Sequence, residues 1–173
     1  MTLASAIAAT ILAIQPMAPA TARWYAQIVV TEARKNQIDP WLEVAIVRNE
    51  SRWISSVVGG TNGQCIGFGQ ICLSCDPSEA ACAARKASLL GPATNLRVVA
   101  QMLSGARRYC MKRTGHAAER HYLAVYQGAD ARRHTTCGQV RRRGVWVDAP
   151  VHPLTVRVLR SRDEMRRNFP RLP

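Results

Sequence analysis

Residues 45–53 read AIVRNESRW, an apolar run that turns without a break into Arg48, Asn49 and the carboxylate Glu50. What precedes it reads as helix. Asp39 can cap free backbone N–H groups, and Pro40 suits the first helical position, where no N–H is needed. A helix is therefore predicted from about Pro40 to about Ser51. Leu42, Ile46 and Glu50 recur at four-residue spacing and Val47 lies three residues before Glu50, so they stack along one face. The apolar members define the side that seeks the core, which puts Glu50 at the end of that side, where the core opens. Partial desolvation there penalises the ionised form and is expected to raise the pKa of a Glu from about 4.3 towards about 6. An ion pair with Arg48 or Arg52, or a simple helix end, would explain the same residue without chemistry.

Helical spacing is also predicted from Trp24 to Asn36, from Asn95 to Tyr109, from Ala117 to about Gln127 and near Leu154 to Arg167. Between Ser55 and Asp76 the texture changes to Gly59-Gly60, Asn62-Gly63, Gly67 and Gly69 with β-branched residues among them, the mark of a loop with one or two short strands. Arg132-Arg133 and Arg141-Arg142-Arg143 punctuate a basic C-terminal extension over about 131–173. The expected fold class is mainly α, a single domain with a small Gly/Cys-rich loop or short β region.

Length and charge bound the rest. A chain of 173 residues can hold one domain with a real core. A hydrophobic share of 47% with 20% charged residues is that of a globular rather than a disordered chain. Twenty-four Lys and Arg against 11 Asp and Glu give a net charge of +13, so the surface attracts polyanions. A nucleic-acid partner is not expected, because no reader motif and no aromatic-basic interleaving accompany the charge.

Met1 to Ala22 has no charged residue, carries the apolar run Ile7 to Ile14 and ends in Ala20-Thr21-Ala22. That reads as a secretory signal cleaved before Arg23, although the usual early Lys or Arg is missing; a short buried helix is the alternative. The run is too short to favour a membrane span. Six cysteines, Cys65, Cys72, Cys75, Cys82, Cys110 and Cys137, agree with export and allow up to three disulfides. Cys110 with Cys137 is the expected pair, and the four clustered cysteines would staple the central loop. Cys72 and Cys75 lack the second pair that a zinc site needs, and His116, His121, His134 and His152 show no ligand spacing, so no metal is expected. Trp41 and Trp53 flank the Glu50 helix and suit either sugar stacking or core packing.

Company gives Glu50 its meaning. Glu50-Ser51 closes an apolar helix, Gly67-Phe68-Gly69-Gln70-Ile71 forms a glycine-rich loop, Asn95-Leu96 opens a helix, and Ala124-Val125-Tyr126-Gln127 ends one. Together and in this order, these segments resemble the four motifs of the lytic transglycosylase family with the goose-type lysozyme-like fold, over roughly Asp39 to Ala129. Gln127 stands where that family carries Asn, and Gly69 where it carries a bulkier Met.

The resemblance implies that Glu50 is the catalytic acid and then the base, that Gln70, Tyr126 and Gln127 hold substrate, and that Ser51 supports the reaction centre. It implies too that Ile66 and Phe68 line a groove for sugar rings. The implied substrate is the glycan strand of peptidoglycan, cut between MurNAc and GlcNAc with 1,6-anhydro-MurNAc ends and no cofactor. The implied location is the periplasm or cell exterior, with anionic wall polymer or an envelope-spanning secretion or conjugation apparatus as further partners. A second carboxylate near Glu50, for which Asp76 and Asp130 are the candidates, would point instead to a hydrolytic muramidase. A non-catalytic cationic wall-binding protein is the alternative outside enzymes.

Overall fold

A computed structural model describes residues 1–60, 63–76 and 78–168, with the side chains of 131 and 132 excepted. Asn62 of the predicted loop and the side chain of Arg132 thus lie outside the described residues.

The fold is built round one central helix. Helix α1 (Leu3–Ile14) and helix α2 (Pro19–Asn36) lead into α3 (Pro40–Glu50). As the sequence predicts, Asp39 caps α3, accepting from the Trp41 N–H at 3.1 Å, and Pro40 occupies its first turn. The predicted one-sided face is replaced by something more complete: every residue from Trp41 to Val47 is buried. A helix buried on all sides, here with Glu43 as the one acid among Trp41–Val47, lies in the middle of a core. It emerges only at Arg48, Asn49 and Glu50, which are half-buried. Helices α1 and α2 pack on it, as does α8 (Pro153–Asn168).

Beyond α3 the chain doubles back. Arg52 and Trp53 both adopt left-handed backbone (φ 52° and 64°), a conformation that costs energy for residues with a Cβ. The reversal returns Trp53 to the core, 2% exposed, with its ring centroid 5.4 Å from Phe68 and 6.2 Å from Tyr25. Trp41 is buried as well. Of the two readings of these tryptophans, core packing is the one observed.

Three two-residue strands follow, β1 (Val58–Gly59), β2 (Cys65–Ile66) and β3 (Ile71–Cys72), in an antiparallel sheet of order β1-β2-β3. Helix α4 (Ala80–Leu90), which the sequence reading passed over, leads to the long α5 (Pro92–Thr114), and then come α6 (Glu119–Tyr126) and the short α7 (Ala129–Arg133). The arginine-rich stretch that follows is a hairpin, β4 (Gln139–Arg142) and β5 (Val145–Asp148). Its turn residues Arg143 and Gly144 both have positive φ (49° and 85°), the geometry that matches strand twist in a tight hairpin. Among the described residues, the stretch read as a basic extension is joined to the body of the fold, since α8 packs along α3.

The segment read as a leader is α1. In the full chain Ile7 and Ile11 are fully buried, which is the arrangement of the buried-helix alternative, and a cut before Arg23 would fall inside α2. Among the described residues no helix is long and apolar enough to cross a membrane.

All six cysteines are paired, as Cys65–Cys72, Cys75–Cys82 and Cys110–Cys137. Cys72 and Cys75 belong to different bridges, so they form no thiolate pair. The third bridge, the one expected from sequence, joins positions 27 residues apart and ties α5 to the start of the hairpin. Closing a loop of that length removes unfolded-state entropy worth about 3 kcal/mol. The Cys110→Ala/Cys137→Ala double variant is expected to melt roughly 6–12 °C lower in a thermal denaturation scan.

Candidate active site

Where α3 leaves the core it meets an open trench of about 480 Å³. Glu50, Gln70, Tyr126 and Gln127 line it together with Gly69, Ile71, Met102 and Leu154. Four of the residues that the sequence singled out are thus brought together from α3, the glycine-rich loop and the end of α6.

The loop is held by Asn95, which is 1% exposed and opens the second turn of α5. Its side-chain oxygen accepts from the Gly69 N–H at 2.8 Å, while its amide donates to the carbonyls of Ile66 (2.9 Å) and Leu89 (2.8 Å). One side chain thereby satisfies three buried backbone groups of a segment with little regular structure of its own. Gly69 is required by space: a Cβ there would run into Val99 and the Tyr126 hydroxyl. The bulkier residue carried by the resembling family has no room here.

Tyr126 spans the trench wall, its hydroxyl donating to the Gly69 carbonyl at 2.8 Å. Burial pushes this phenol well above its ordinary value, and the Glu50 and Glu43 carboxylates push it further. It therefore stays a protonated donor across the physiological range.

Gln70 has left-handed backbone (φ 47°), and its amide donates to the carbonyls of Gly67 at 3.0 Å and Val57 at 3.2 Å. Both bonds lie within the loop, so its side chain fastens the trench wall rather than reaching out for a ligand. The Gln127 side-chain oxygen accepts from Thr155 Oγ1 at 2.8 Å, which docks α8 beside the trench.

Three expectations are corrected. Ile66 and Phe68, which the resemblance implies line a groove for sugar rings, are fully buried and pack in the core. Ser51 is also buried, its hydroxyl donating to the Val47 carbonyl at 3.2 Å, so it closes α3 and does not line the trench.

Neither candidate second carboxylate lines the trench. Asp130 accepts from Thr135 Oγ1 and from the Cys137 and Gly138 N–H groups, which fixes the turn into β4. Asp76 is tied to Ser78, whose backbone N–H bond holds it below the usual carboxylate range. Among the described residues lining the trench, Glu50 is the sole acid.

Sequence reasoning missed Leu154, hidden in a stretch read as a basic extension, and Met102 of α5. It also missed Glu43, seven residues before Glu50 in α3. That residue is fully buried, and among the described residues neither carboxyl oxygen has a hydrogen-bond partner. Burial, and after it the nearby charge of Glu32, raises its pKa well above the usual carboxylate range.

Comparison of the chain with protein-family models, curated proteins and solved structures finds no match.

Proposed function

We propose that the protein is an exported, lysozyme-like lytic transglycosylase that cuts the β-1,4 bond between MurNAc and GlcNAc in peptidoglycan. One observation carries this reading: Glu50 is half-buried at the mouth of a core helix, and among the described residues it is the lone carboxylate on a trench that Tyr126 and the Gly69-Gln70 loop also line. A glycosidase with two carboxylates hydrolyses through water or a covalent intermediate. With one, the second nucleophile has to come from the substrate.

In the proposed reaction, protonated Glu50 donates its proton to the bridging oxygen as the anomeric C–O bond breaks. The resulting carboxylate then takes the proton of the sugar's own 6-hydroxyl, whose oxygen closes on the anomeric carbon. The acid is regenerated, the product is a 1,6-anhydro sugar, and no water is consumed. Tyr126 keeps the loop backbone in place beside the acid, and Gln127 holds α8 against the same wall. The three disulfides suit an oxidising compartment, which supports a site of action in the periplasm or outside the cell.

Mass spectrometry of muropeptides released from purified sacculi tests the reading. Products ending in anhydro-MurNAc are expected. Reducing ends would make the protein a hydrolytic muramidase, and no release at all would leave a cationic wall-binding protein.

A further inference from the structure

Away from the trench, a cleft of about 340 Å³ opens between the end of α5 and the hairpin, lined by Arg113, Thr136, Arg141 and Trp146. Among the described residues no carboxylate lines it. Arg141 and Trp146 are a directly opposed cross-strand pair, so both side chains leave the same face of the hairpin. The guanidinium of Arg113 sits 5.8 Å from the Tyr109 ring centroid, and Arg141 donates to the Gly144 carbonyl. Among the described residues neither arginine belongs to an ion pair.

The cleft is held in shape from two sides. The Cys110–Cys137 bridge fixes the chain beside Thr136 to α5, one turn before Arg113. At the same open end of the hairpin, Asp148, paired with Gln139 across the strands, accepts from Arg120, from His121 at 3.0 Å and from Gln139 at 3.0 Å, which fastens β5 to α6. Two guanidinium groups thereby line one cleft with no ion-pair partner among the described residues, beside an indole and a hydroxyl. Like charges held so are costly unless an anion joins them.

We propose that this cleft is a binding site for an anionic sugar polymer. The carboxylate or phosphate of a sugar unit is held by Arg113 and Arg141, its ring lies against the Trp146 indole, and Thr136 supplies a hydroxyl partner. A single available aromatic face favours a sugar over single-stranded nucleic acid, which stacks successive bases on several aromatic platforms. The Tyr109 ring, the other aromatic nearby, already carries Arg113. The site is independent of Glu50 chemistry, and it would keep the protein on a charged glycan whatever the trench does.

The test is affinity electrophoresis of the full chain in gels containing polygalacturonate, phosphorylated dextran, neutral dextran or oligo(dT). Retardation is expected with one or both charged polysaccharides and not with neutral dextran, and the two charged arms separate carboxylate from phosphate as the group held. Arg141→Gln and Trp146→Ala should each weaken binding about tenfold. Arg142→Gln removes the same charge from the opposite face of the hairpin and should change binding less than twofold. Thermal scans confirm that each variant is folded. Equal losses for Arg141→Gln and Arg142→Gln, or an unchanged Kd in Trp146→Ala, would reduce the site to diffuse attraction and overturn the proposal. So would tighter binding to oligo(dT) than to either polysaccharide.

Discussion

Glu50→Gln is expected to lower the rate of anhydro-muropeptide release by between about 10² and 10⁴, the usual contribution of a positioned general acid-base. The amide matches the carboxyl in size and can still hydrogen-bond, but it cannot deliver a proton to the bridging oxygen or take one from the 6-hydroxyl. Because one residue fills both roles, neither half of the proposed reaction has a substitute among the described residues of the trench. The fold should hardly notice. Glu50 stands where α3 has already left the core, so the melting temperature is expected to stay within a few degrees of wild type. Turnover above a tenth of the wild-type rate in this variant would rule out Glu50 as the acid.

The second large effect is in stability and belongs to Glu43. Its carboxyl is fully buried on the core helix, near Glu32 of α2, whose Oε1 accepts from Arg97 at 3.2 Å. In the folded state burial and the Glu32 charge keep Glu43 protonated well above the usual 4.5. The unfolded chain releases that proton near the ordinary value. Below about pH 4.5 both states hold the proton and stability is unaffected. As pH rises beyond that, the unfolded state binds fewer protons than the folded one, so folding weakens by about 1.4 kcal/mol for each pH unit until the folded carboxyl also ionises. Glu43→Gln has no proton to lose. Its melting temperature is expected to match wild type near pH 4 and to exceed it as the pH rises above the usual carboxylate range. Parallel curves across that range would show that Glu43 is already ionised in the folded protein.

The two glutamates show where legibility stops. Glu50 could be found because a cap, a proline and an apolar run fix α3 locally, and a carboxylate at its end stands out. The Asp39 cap and the glycine loop with its short strands were readable for the same reason, each being written in a few neighbouring residues. The parity of the cysteines, by contrast, allowed up to three bridges without fixing which cysteine pairs with which. Glu43 lies in the same eleven-residue helix, yet its burial comes from α2 and α8 closing over the remaining sides, which no local pattern records. Ile66 and Phe68 were misplaced because their groove-lining role came from the resemblance alone, and no local pattern records which side of the loop the core covers. The hairpin was passed over because its arginines drowned a readable signal, Arg143-Gly144 between Val140 and the Val145-Trp146-Val147 run. The uncharged segment ahead of Arg23 suits both a leader and the buried helix it forms here, since both demand the same composition.

Leu154 has a consequence for the order in which the molecule comes together. It reaches the trench from α8, roughly 100 residues beyond Glu50 along the chain, and Thr155 beside it anchors Gln127. Contacts spanning so much chain form late, because a long stretch must be gathered before they return anything. A partly made or partly folded polypeptide therefore carries Glu50 beside an incomplete trench, which is finished only when the distant helix docks.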